Sequence, residues 1–71
     1  MTNNFITLTQ TNDKLVNLNA MFIESIEEMD DDTMVTLGFG SKNFYRVKET
    51  PKEVIKKIEN TGIFKTFTYG N

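Results

Sequence analysis

The side chains able to do chemistry in this 71-residue chain fall into four groups. Asp30-Asp31-Asp32 sets three carboxylates side by side and suggests calcium or magnesium. A calcium loop needs oxygen donors at spaced positions, a glycine and a distal glutamate. None of these is present, so the run reads as a hairpin turn. Gly38-Phe39-Gly40-Ser41-Lys42 has the glycines and lysine of a phosphate cradle. It is too short for one, and it joins two strand-like segments rather than a strand and a helix; it reads as a glycine hairpin. Glu24, Glu27 and Glu28 offer carboxylates, but acid–base work needs two of them facing one cleft with separated pKa values. A chain this short has little room for such a cleft. It also has no histidine and no cysteine, which removes the usual general base, the commonest metal ligand and the thiol nucleophile. The expectation is a protein that is not an enzyme and has no catalytic, metal-binding or cofactor-binding residues.

In the fourth group, Phe39, Phe44, Tyr45, Phe64, Phe67 and Tyr69 lie among Lys42, Arg46, Lys48 and Lys65. Aromatic rings interleaved with cations can stack on single-stranded nucleic acid. The same residues also suit a small β core or a protein interface. The net charge of −2 favours the latter, because phosphate backbones attract basic surfaces. The charge is unevenly spread. Residues 1–41 set seven acids against Lys14, a balance of −6, while residues 42–71 set seven Lys and Arg against Glu49, Glu53 and Glu59, a balance of +4. Such halves either face each other within one domain or form a two-signed surface for a partner. The lack of cysteine fits a reducing compartment. No segment has the apolar length of a membrane span, and Met1–Asn4 shows no leader character. A cytoplasmic protein is expected.

The elements that would position these residues follow from local signals. Thr50–Gly62 carries a complete helix set, predicting a helix over residues 50–61. Thr50 is a good N-cap, Pro51 suits the first turn, Glu53 completes a capping box, and Gly62 can end the helix. Val54, Ile55 and Ile58 share one arc, opposite Lys52, Lys56 and Glu59. A helix of this length is marginal alone and must lie on something. Everything before it reads as strand. Phe5–Thr9 alternates with Ile6 and Leu8 inward, and Leu15–Leu18 puts Val16 and Leu18 on one face, with a turn at Thr11–Lys14 between them. Asn19 caps a bend. The spacing of Ile23 and Ile26 then requires either a bulge or a single helical turn over residues 20–25. Thr33–Leu37 is a strand rich in Thr and Val. Asn43–Val47 is another, with Tyr45 and Val47 on one face and Phe44 and Arg46 on the other. Residues 62–71 read as a tail or an edge strand.

The predicted fold is α+β, a single domain. An antiparallel β-meander of four to five strands (residues 5–47) carries one C-terminal amphipathic helix packed on the sheet. The residues singled out as an interface are Phe39, Phe44, Tyr45, Arg46, Phe64 and Phe67, with Phe39, Phe44 and Tyr45 at its centre. The expected partner is another protein or a second copy of the chain. The alternatives are a structural protein encoded by a phage or mobile element, and a single-stranded nucleic-acid binder using Lys42, Phe44, Tyr45, Arg46 and Lys48.

One pattern adds a sharper expectation. Ile6-Thr7-Leu8-Thr9, Asn12-Asp13-Lys14, Leu18-Asn19-Ala20, Ile23-Glu24-Ser25-Ile26-Glu27-Glu28, Asp32–Leu37, Val47-Lys48-Glu49-Thr50 and Glu53–Ile58 follow one another in an order and spacing that resembles the flagellar FlbD family, also called the swarming motility protein SwrD family. Asp13 stands where that family usually has glycine, and residues 38–46 are longer and more aromatic than its short hairpin. The resemblance implies a non-enzymatic accessory protein that supports flagellar motility, with a role in motor power, acting by protein contact. It brings no catalytic or ligand residues with it.

Overall fold

The computed structural model describes residues 4–38 and 43–63, together with the backbone of residues 68–70. The α+β architecture expected from the sequence is what the chain adopts, with its strands divided between two sheets. Strands β1 (Phe5–Thr9) and β2 (Leu15–Asn19) form an antiparallel hairpin. Strands β3 (Ile23–Glu28), β4 (Thr33–Leu37) and β5 (Asn43–Val47) form an antiparallel meander. A short strand β6 (Thr68–Gly70) adds to the free side of β3 in parallel, giving the order β5-β4-β3-β6. Helix α1 (Pro51–Asn60) lies against β1 and β3.

The hairpin turns at Thr11–Lys14. Asp13 sits at φ 72°, where an L-residue meets its own carbonyl and glycine does not. Asn12 Oδ1 accepts from the Lys14 N–H at 3.0 Å, and the Gln10 N–H reaches the Lys14 carbonyl at 2.8 Å. These bonds hold the conformation against its backbone cost. Asp13→Gly and Asp13→Ala lose the same carboxylate, but only glycine occupies this φ freely. The glycine variant is expected to be more stable than the alanine variant by about 1 kcal/mol in urea unfolding. Equal midpoints would mean that the turn relaxes without cost.

Between the sheets, Asn19 caps a 3-10 turn over Ala20–Phe22, its Oδ1 accepting from the Met21 N–H at 3.0 Å. The β3–β4 register then slips between Ile23 and Ser25, leaving Glu24 as the extra residue. Of the two alternatives raised by the Ile23/Ile26 spacing, the bulge is the one adopted: the helical turn stops at Phe22 rather than running to residue 25, and the strand already begins at Ile23. The bulge lets two isoleucines three apart share the buried side, since a regular strand returns to a face only every second residue.

The core is Ile6, Leu8, Leu18, Ala20, Ile23, Ile26, Val35, Val47, Val54 and Ile58, flanked by partly buried Val16, Leu37, Tyr45, Ile55 and Ile63. Every strand of the hairpin and meander, and the helix, contributes a side chain. The helix begins as its signals require. The Thr50 hydroxyl accepts from the Glu53 N–H at 3.2 Å, and the Glu53 carboxylate accepts from the Thr50 N–H at 2.9 Å. That backbone hydrogen bond, then the Thr50 side chain, and more weakly Lys57, hold the Glu53 carboxyl below the usual glutamate range. At the other end Gly62 takes φ 88°, and its N–H reaches the Glu59 carbonyl at 3.0 Å.

The two sheets meet where β1 ends. Gln10 bridges Val47, the Lys48 N–H donates to the Thr9 carbonyl at 2.8 Å, and the Thr11 N–H donates to the Arg46 carbonyl at 3.1 Å. The Glu49 carboxylate completes the junction, accepting from the Thr9 N–H with both oxygens at 2.9 and 3.0 Å. It occupies the edge position on β1 where another strand would otherwise have to supply an acceptor.

Candidate functional site

The outer face of the meander is built from the residues that strand alternation turns away from the core. Ser25, Thr36 and Phe44 form one cross-strand row, and Glu27, Met34 and Arg46 form the next. On the other face of the same strands stand Val35, Tyr45 and Val47. Phe44 is therefore the one aromatic side chain on the outer face among the described residues of β3, β4 and β5, and it is 64% exposed. Arg46, two residues along the same strand, donates through Nε and Nη2 to Asp32 Oδ1 at 2.9 and 2.7 Å. Asp32 itself is half-buried. Lys48 pairs with Asp13 across the junction between the sheets.

The expected interface divides accordingly. Phe44 and Arg46 share one face. Tyr45 does not join them, because adjacent residues of a strand point to opposite sides, and it packs against the core. Phe39, Phe64, Phe67 and Lys42 lie outside the described residues. The exposed apolar side chains also include Phe5, Leu15, Met21 and Phe22. Leu15 was legible, being out of phase with inward Val16 and Leu18. Met21 and Phe22 gave no such signal, since they sit in the 3-10 turn where neither period applies.

Of the groups considered from sequence, the acidic ones lie among the described residues, while residues 39–42 of the glycine-rich stretch lie outside them. Asp30–Asp32 form the turn between β3 and β4, closed by the Met29 N–H on the Asp32 carbonyl at 2.8 Å. An open groove runs beside Arg46, with Glu27, Glu28 and this turn along its wall. Among the described residues, no group of three or more Asp, Glu, His or Cys is placed to hold a metal ion. Also among them, no helix is long and apolar enough to cross a membrane. Glu24 is separated from Glu27 and Glu28 by the bulge: it sits against Gly38, where a Cβ would meet its carboxylate.

These residues define a small α+β protein with an exposed aromatic side chain on a sheet face that it shares with Met34 and polar residues. A family model described as flagellar and swarming motility proteins, FlbD, matches residues 5–62, and the chain belongs to that family. No curated protein and no solved structure matches it.

Proposed function

We propose that the chain is a non-enzymatic accessory module of flagellar motility that binds another protein through the outer face of its meander, with Phe44 as the central contact. The observation that carries this reading is the exposure of Phe44 on a sheet face flanked by Thr36, Met34 and the tethered Arg46. Aromatic side chains dominate the energetics of protein interfaces, and a neighbouring polar rim limits access of water. The Asp32 bond holds the Arg46 guanidinium towards the β3–β4 turn, so little Arg46 side-chain freedom remains to be lost on binding. Without histidine or cysteine, a nucleophile and its base would have to come from other side chains.

Binding of single-stranded nucleic acid receives less support. Arg46 and Lys48 are each engaged by a carboxylate, and the groove beside Arg46 is walled by acids. A phosphate backbone needs uncompensated cations.

Deleting the coding sequence in its native host tests the role. Swarm expansion on soft agar is expected to fall and to return when the chain is supplied from another locus. Wild-type swarming by the deletion strain would overturn it.

A further inference from the structure

The main-chain hydrogen bonds of the hairpin identify a sheet edge that is open among the described residues. The Ala20 N–H reaches the Asn4 carbonyl and the Gln10 N–H reaches the Lys14 carbonyl. These two bonds, with the β1–β2 register, set the alternation of the ladder. Ile6–Leu18 and Leu8–Val16 are the hydrogen-bonded pairs, while Thr7–Asn17 and Thr9–Leu15 are not. Thr9 confirms the phase, because its N–H turns away from β2 to the Glu49 carboxylate. On β2, the N–H and C=O groups of Leu15 and Asn17 therefore point away from β1. Among the described residues nothing pairs with them.

The other edges are occupied in part. β3 carries β6. The end of β5 is tied to Gln10 and Thr11, and the end of β1 to Lys48 and Glu49. Edge strands are normally protected by a charge, a proline or a bulge. β2, Leu-Val-Asn-Leu-Asn, has none of these. Its Leu15 is 69% exposed.

We infer that two copies of this chain associate by antiparallel pairing of their β2 strands about a two-fold axis through Asn17. The register follows from the phase of the open groups. Asn17 faces Asn17 of the second copy, and the two exchange a pair of N–H···O bonds. Leu15 faces Asn19 of the second copy. Val16, half-buried in one copy, faces Leu18 of the other at the close, non-hydrogen-bonded spacing, which continues the inner apolar row across the axis. Charge does not oppose the arrangement. Lys14 falls opposite Ala20 of the second copy, and the two lysines stand six residues apart along the strands. That is roughly 20 Å, well beyond the screening length of about 8 Å at physiological salt.

A five-residue strand pair lies at the low end of specific interfaces, which bury about 1,200 Å² or more. The dimer therefore dissociates on dilution, and the surface is distinct from the Phe44 face.

Sedimentation equilibrium of the full chain over a concentration series extending to the millimolar range tests the inference. The wild type is expected to move from the chain mass of 8.2 kDa towards twice that value. Asn17→Lys and Asn17→Asp each place like charges opposite one another on the axis and should weaken association about tenfold or more. An equimolar mixture of the two should restore it, which a folding defect in either variant would not allow. Phe44→Glu should leave self-association unchanged. A single-chain mass at every concentration, unimpaired dimers of Asn17→Lys, failure of the mixture to associate, or loss of the dimer in Phe44→Glu would each overturn the inference.

Discussion

Replacing Ile26 by alanine is expected to remove about 2–5 kcal/mol of stability, the usual range for losing a buried isoleucine with partial collapse of the cavity. The side chain is fully buried. It stands in the middle of β3, paired with Val35 on β4, and shares its side with Ile23 because of the Glu24 bulge. A chain of 71 residues holds about 4–10 kcal/mol in total at the usual stability per residue. The loss is therefore a large fraction of the whole, and the variant should be substantially unfolded near physiological temperature. Lys56→Ala, on the exposed side of α1, should change stability by no more than about 0.5 kcal/mol. Urea unfolding followed by circular dichroism reads both. An Ile26→Ala midpoint equal to that of the wild type would remove β3 from the centre of the core.

The second large effect is expected without unfolding. Phe44→Glu introduces a charge at a position that is 64% exposed, so its cost in stability should stay at about 1 kcal/mol or less, the span of strand propensities. At the centre of a protein interface the same change removes an aromatic anchor and leaves a carboxylate to be desolvated. Such positions are worth about 2 kcal/mol or more, roughly thirtyfold in affinity. The two quantities separate a contact role from a core role. A stability loss as large as that of Ile26→Ala would place Phe44 in the core, and the proposed contact face would fall with it.

Elements written in neighbouring residues were legible in the sequence. The helix carries its own start and stop within thirteen residues, and both legs of the Thr50–Glu53 capping box form. Phe5–Thr9 and Leu15–Leu18 alternate apart from the exposed Phe5 and Leu15 at their starts, and their inward residues are the buried ones, with Val16 only half so. The Ile23/Ile26 spacing signalled that something had to break the strand period, and the bulge at Glu24 does so. What was not legible depends on residues far apart in the chain. Glu49 is forty residues from the Thr9 N–H it accepts, and nothing near Glu49 distinguishes it from a solvated glutamate. The meeting of the two sheets at the Gln10–Val47 bridge is a contact that no local period encodes. The parallel addition of Thr68–Gly70 to β3 is of the same kind.

The candidate site shows the same limit. Alternation alone puts Phe44 and Arg46 outward and Tyr45 inward, so the grouping of all three as one interface could have been refined from the pattern. The Arg46–Asp32 bond could not, because it depends on how the β3–β4 turn sits against β5. That bond draws the Arg46 guanidinium onto a carboxylate at the β3–β4 turn, so Arg46 is not a free cation on the face that carries Phe44.

The most direct test of the contact role is swarm expansion in a deletion strain complemented with Phe44→Glu, with the cellular level of the chain measured alongside. The account predicts a swarm radius close to that of the uncomplemented deletion while the variant accumulates to the wild-type level. Full restoration of swarming by Phe44→Glu at that level would contradict it, and would show that the chain supports motility without using this face.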